Sequence, residues 1–206
     1  MAGFFTNAER HLIGGVILSL ATFVLLLLTT FSVPFIKSIY FLQAPVGGGK
    51  VTFGAYGWCN QPAEGQGDRE CFGPNMGYRW DPELIYWLTK GLITVGIACA
   101  FSLLALIALL LEIFCRPSYQ LTNPIWFRVF SGLTTLTTII AFVFATVLFH
   151  NGRIRFENRG IDASYGPAEW MLLSAMIVGF LSLCVGGPRF TGRHMYRADN
   201  RAVYNV

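Results

Sequence analysis

Charged residues are scarce. Asp, Glu, Lys and Arg make up 13% of the 206 residues, where a soluble domain carries about a quarter. With 54% hydrophobic residues, that scarcity excludes an ordinary water-soluble fold. Histidine is rare too, and His11, His150 and His194 all fall near or beyond the ends of apolar runs. The interiors of four long apolar runs carry no ionisable side chain, and such residues are the usual marker of a catalytic centre or transport path. No HExxH, Gly-rich phosphate loop or nucleophile motif is present. The net charge of +4 comes without the aromatic-interleaved basic patch that nucleic acid requires. Enzyme, nucleic-acid binder and small-molecule binder therefore drop out, and no cofactor or metal is implied.

What is present is four runs long enough to cross a bilayer core of about 30 Å. The predicted spans are residues 11–33, 84–114, 125–149 and 168–187. Thr6 and Glu9 form a capping box before the first, and Pro34 ends it. That run lacks the short apolar core and cleavage site of a signal peptide, so it is expected to be a helix of the mature protein. Asp81-Pro82-Glu83 opens the second run and Asn123-Pro124 the third, each with N-terminal helix chemistry. Gly166-Pro167-Ala168-Glu169 opens the fourth and Gly186-Gly187-Pro188 closes it. Lys90 and Glu112 stand at opposite ends of the second helix, about 33 Å apart at 1.5 Å per residue, too far to pair.

The loop of residues 34–83 carries strand signals. Val51, Phe53 and Ala55 alternate with Thr52, Gly54 and Tyr56, predicting a strand from Val51 to Trp58. Ile36 to Leu42 is a second candidate. In the loop of residues 150–166, Arg153-Ile154-Arg155-Phe156-Glu157 alternates as well and predicts a strand that pairs with the first loop. Residues 188–206 form a short, polar, Arg-rich tail.

Four spans put both termini on one side. Arg10, Arg116, Arg128, Arg189 and Arg193 near helix ends favour the cytoplasm for that side, while Arg153, Arg155 and Arg159 oppose it. Cysteine weighs more. Cys59 and Cys71 share the long polar loop, which favours a disulfide on the oxidising face. Two free cytosolic thiols, or half of a metal site, are the alternatives. Cys99 is the size of a packing residue. Cys115, beside Arg116, is a candidate for S-palmitoylation, with a plain buried thiol as its alternative.

The densest motif is Phe53-Gly54-Ala55-Tyr56-Gly57-Trp58-Cys59, followed by Cys71 and Gly77-Tyr78. Glycine allows close backbone approach and the rings can cover a disulfide, so the segment builds a small rigid sheet without a large core. With one helix before and three after, it resembles the fungal PalI-type tetraspan family, which includes a pH-response protein and Sur-type eisosome proteins. The resemblance implies a claudin-like architecture: an all-α four-helix bundle with a small disulfide-stapled extracellular antiparallel sheet. It also implies a plasma-membrane location. Trp58 directly precedes Cys59, unlike the claudin spacing, so tight-junction function is not implied.

The helices offer packing surfaces. Gly15 and Ser19, Ala98 and Ser102, and Ala175 and Gly179 have small-xxx-small spacing. Of these, Ala175 and Gly179 on the fourth span are the expected docking face for a partner helix. Thr134, Thr135, Thr137 and Thr138 are expected to bond back to their own helix rather than line a pore. Two readings follow. The first is a non-catalytic accessory or scaffold protein that binds a larger integral membrane protein of the pH-response or cell-wall synthesis machinery. The second is a self-assembling organiser of membrane domains, with a channel as a weaker third. Membrane lipids are partners in all of them.

Overall fold

The computed structural model describes residues 7–62, 68, 70–75, 77–80, 84, 86–114 and 124–185, without the side chains of 7–12, 112–114 and 124. The Thr6/Glu9 capping box, Asp81-Pro82-Glu83, Cys115, Gly186-Gly187-Pro188 and the tail lie outside the described residues. The elements run α1 (Asn7–Thr30), β1 (Leu42–Val46), β2 (Gly49–Phe53), β3 (Trp58–Gln61), β4 (Glu70–Phe72), α2 (Tyr86–Gly91), α3 (Ile93–Phe114), α4 (Pro124–Glu157), β5 (Ser164–Tyr165) and α5 (Pro167–Val185). Four helices, counting α2 and α3 as one, are long and apolar enough to cross a membrane. The chain is a multi-pass membrane protein with a claudin-like tetraspan fold.

The helices form a ring: α1 packs on α3 and α5, and α4 packs on the same two. Composition is inverted relative to a soluble bundle. On α1 the buried positions are Gly15, Ser19, Thr22, Leu26 and Thr29, while Ile13, Ile17, Leu20 and Val24 are exposed. On α5, Ala168, Leu172, Ala175, Gly179 and Ser182 face inward, and Ile177, Phe180, Leu181 and Val185 face outward. Lipid tails are as apolar as leucine, so large side chains gain nothing by leaving them. Small residues that let backbones approach closely hold the ring instead. The inward spacing of alternating four and three residues keeps one seam facing its neighbours. Trp87 and Trp170 lie exposed near the sheet and Trp126 near the opposite end, the levels at which tryptophan anchors a span to the headgroups.

The five strands form one antiparallel sheet of order β4-β3-β2-β1-β5. Gly47 and Gly48, with φ of 60° and 80°, make the two-residue turn between β1 and β2, and positive φ at both positions selects glycine. Pro45 is accommodated because β5 pairs only with Leu42 and Gln43, leaving the far side of β1 open beyond them. The sheet is seated on the bundle by aromatic rings. Phe41 stacks on Phe149 with centroids 4.9 Å apart, and Phe53 lies 5.9 Å from Phe156. The amides of Gly166 and Ala168 donate to Phe41 O and Tyr40 O, which gives the start of α5 partners for its orphan N–H groups.

Several expectations are corrected. Arg153–Glu157 is not a strand but the last turns of α4. At 1.5 Å per residue its 34 residues make about 51 Å, well beyond a core of about 30 Å. The extension is amphipathic: Arg153 Nε donates to Glu157 Oε1 at 2.6 Å one turn on, and Phe156 is buried. The third loop does join the sheet, but through Ser164–Tyr165. The continuous strand Val51–Trp58 is instead a hairpin, turned at residues 54–57 and closed by Gly54 N donating to Gly57 O at 2.8 Å. The candidate strand Ile36–Leu42 is shifted to Leu42–Val46. The second span is two helices, interrupted at Leu92, where Thr94 Oγ1 takes the Gly91 carbonyl at 2.7 Å.

Candidate functional site

The motif residues converge on the 54–57 turn, and each has a mechanical task. A Cβ at Gly54 would strike the backbone of Val33, where the chain leaves α1, and one at Gly57 would strike the Phe72 carbonyl. Ala55 N donates to Ser32 Oγ at 3.0 Å. Tyr56 reaches down to α3, so close that a Cβ on Gly96 would lie 2.5 Å from its hydroxyl. Burial, partly offset by a backbone hydrogen bond at Gly96, pushes the Tyr56 phenol up. The Tyr78 hydroxyl donates to Gly54 O at 2.9 Å, and burial drives that phenol far above the ordinary tyrosine range. Gly77 is left-handed, with φ of 78°, and lies against Lys90.

Cys59 and Cys71 stand opposite each other on β3 and β4 and are joined by a disulfide. Trp58 stacks on Phe72 at 4.3 Å and meets Trp80 edge-on at 4.5 Å, and Trp80 in turn meets Phe53 at 5.5 Å. The motif is therefore a clamp. It ties the sheet to the end of α1 and to α3. Arg79 and Lys90 each lie over the Tyr86 ring, at 4.4 and 4.5 Å. Among the described residues, no three His, Cys, Asp or Glu side chains gather as a metal site would need.

The six small residues singled out in the helices all lie inside the ring. Gly15, Ser19, Ala98, Ser102, Ala175 and Gly179 are buried. The expected partner face at Ala175 and Gly179 is therefore corrected: both point into the protein's own bundle, on the seam that lipid-free packing demands. A Cβ at Gly179 would lie 3.4 Å from Thr22 Cγ2, an ordinary contact. Gly179→Ala should accordingly leave the melting temperature within about 3 °C of the parent, as under about 1 kcal/mol is at stake. Gly179→Leu should lower it clearly. A harmless leucine would mean that this face is open. Cys99 is buried and Cys184 exposed.

The threonines of α4 bond back to their own helix. Thr134, Thr135 and Thr138 donate to Phe130 O, Ser131 O and Thr134 O, and Thr137 to Leu133 O. Sequence reasoning missed three features. One is Glu169, which turns inward on the first turn of α5 and accepts from Thr146 Oγ1 at 2.7 Å. Its other oxygen, Oε2, is buried without a partner among the described residues. The signal was there in the carboxylate at a helix start, but its aim depends on how α5 lies against α4. The second is an apolar groove of about 260 Å³ on the outer side of α4 and α5, lined by Thr135, Ile139, Met176, Ile177, Phe180 and Leu181. The third is a small cavity in the ring lined by hydroxyls.

The SUR7/PalI family matches residues 11–185, a stretch that takes in the sheet and all four spans. The chain belongs to the SUR7/PalI family. No curated protein matches it.

Proposed function

We propose that the protein is a non-catalytic accessory or scaffold subunit of the plasma membrane, which binds and stabilises a larger integral membrane protein. Its family resemblance directs the choice of partner to pH-response or cell-wall synthesis machinery. The observation that carries this reading is the use of the motif: its described residues between Phe53 and Tyr78 lock a sheet onto the bundle, and among the described residues no reactive groups converge there. A rigid membrane-embedded body suits recognition by shape. The groove between α4 and α5, with exposed Ile177, Phe180 and Leu181, supports the outer face of α5 as the surface offered to a partner's transmembrane helix. Lipid gives no hydrophobic drive for that contact, so shape fit must supply it.

Affinity purification of the full chain in mild detergent, with identification of co-eluting proteins, tests the reading. Ile177→Ala with Phe180→Ala should cut partner recovery several-fold while surface expression persists. Unchanged recovery removes this face from consideration. A homo-oligomer with no second protein, seen by native mass, favours the self-assembling organiser instead.

The disulfide supports an extracellular sheet and cytoplasmic termini. Epitope tags at residues 1 and 206 should then be unreachable by antibody on intact cells. Alkylation without reduction should leave Cys59 and Cys71 unlabelled. Surface staining of either tag would overturn the orientation.

A further inference from the structure

Each spanning helix contributes one buried serine to a single place. Ser19 of α1, Ser102 of α3, Ser131 of α4 and Ser182 of α5 line one cavity, joined by Thr22, Thr134, Ala105 and Gly179. The four serines are 2–5% exposed. The cavity lies in the half of the bundle remote from the sheet, as Ser131 is near the start of α4 and Ser182 near the end of α5. Its volume is about 10 Å³, at the lower limit for one water molecule, roughly 10–15 Å³.

The polar groups around it divide into two kinds. Thr22, Ser102 and Thr134 donate to their own helices, to Leu18 O, Cys99 O and Phe130 O at 2.8–2.9 Å, and keep lone pairs free. Ser19, Ser131 and Ser182 line the same cavity, and no side-chain hydrogen bond from their hydroxyls is seen among the described residues. A hydroxyl left dry in an apolar interior costs free energy that a hydrogen bond would recover. Three hydroxyls facing one water-sized space recover that hydrogen bonding when a water fills it.

We propose that this cavity is a binding site for one structural water molecule. The water donates to two of the committed hydroxyls and accepts from two of the free serines. That four-bond arrangement lies within the two to four bonds usual for a buried water. It joins the four helices at a level remote from the Thr146–Glu169 hydrogen bond that links α4 to α5. Lipid offers helices no directional preference along the membrane normal, so the water fixes their relative height at one level.

The test uses the full chain in lipid bilayers. Ser131→Ala and Ser182→Ala should each lower the melting temperature by roughly 2–4 °C, the effect of one lost hydrogen bond in a chain of this size. Ser174→Ala serves as control, since Ser174 is exposed and bonds only to Trp170 O of its own helix. Its melting temperature should not change. The sign is decisive. A dry cavity would make the two inner alanines neutral or stabilising, because each removes an unsatisfied hydroxyl, and that result overturns the proposal. Water-edited solid-state NMR gives a second readout that needs no variant to fold. Rapid magnetisation transfer from water to Ser19, Ser131 and Ser182 is expected, and its absence in the parent protein overturns the proposal equally.

Discussion

Gly54→Ala is expected to lower the melting temperature of the detergent-solubilised protein by roughly 5–15 °C, the equivalent of about 2–4 kcal/mol. The methyl group is small, but its surroundings are backbone. It would overlap the Val33 carbonyl oxygen and lie 2.7 Å from the Val33 carbonyl carbon. No flexible side-chain end is there to yield, so the 54–57 turn must lift from the end of α1. Lifting it strains three bonds together: Tyr78 Oη to Gly54 O, Ala55 N to Ser32 Oγ, and Gly54 N to Gly57 O. Tyr78 is buried, which makes its lost partner costly. Gly132→Ala is the matched control. A Cβ at Gly132 meets nothing within 4 Å, and alanine is favoured over glycine in a helix by about 1 kcal/mol. That variant should melt at or slightly above the parent temperature. Thermal unfolding followed by size-exclusion fluorescence reads both. If Gly54→Ala melts with Gly132→Ala, the sheet is not clamped to α1 through this contact.

How much of this was legible beforehand follows the physics of each segment. The spans were, because a run such as Leu12–Val33 has no other stable setting than a bilayer. The pairing of Cys59 with Cys71 was, because two thiols in a polar loop point to an oxidising face. The segment Arg153–Glu157 was misread because Arg-Ile-Arg-Phe-Glu satisfies both periods. Alternate residues suit a strand, and Arg153 with Glu157 suits a helix one turn apart. The choice was made by context, in a helix already running out of the membrane with Gly152 against Leu84 and Phe156 under Phe53. The hairpin at 54–57 was hidden by the same alternation, although Gly54 and Gly57 three residues apart are turn chemistry.

The interior serines were the least legible. Each is isolated within its own helix, and only the ring brings Ser19, Ser102, Ser131 and Ser182 to one cavity. Two of them had been noticed for smallness and not for the hydroxyl. The available signal was that every span carries one serine on the seam of its small residues. The partner face failed for a related reason. Small-xxx-small spacing shows that a helix packs closely, but not on what, and a four-helix chain satisfies its own seams first.

Removing the disulfide is the second large effect. The bridge joins cysteines 12 apart in sequence, and a loop of that size is worth roughly 3 kcal/mol in the chain-entropy picture. Cys59→Ala with Cys71→Ala should therefore lower the melting temperature by roughly 6–12 °C. The loss should begin at the sheet edge. β4 is three residues long and pairs only with β3, so its amides should lose hydrogen-exchange protection while α3 and α4 keep theirs. The two single variants decide whether the bond or the side chains matter. Cys59 is fully buried, so the cysteines could also contribute as packing residues. If the covalent bond dominates, either single alanine costs nearly as much as the pair, because the second substitution has nothing left to break. If the single effects instead sum to the double, the cysteines act separately through packing, and the bridge does not staple the sheet.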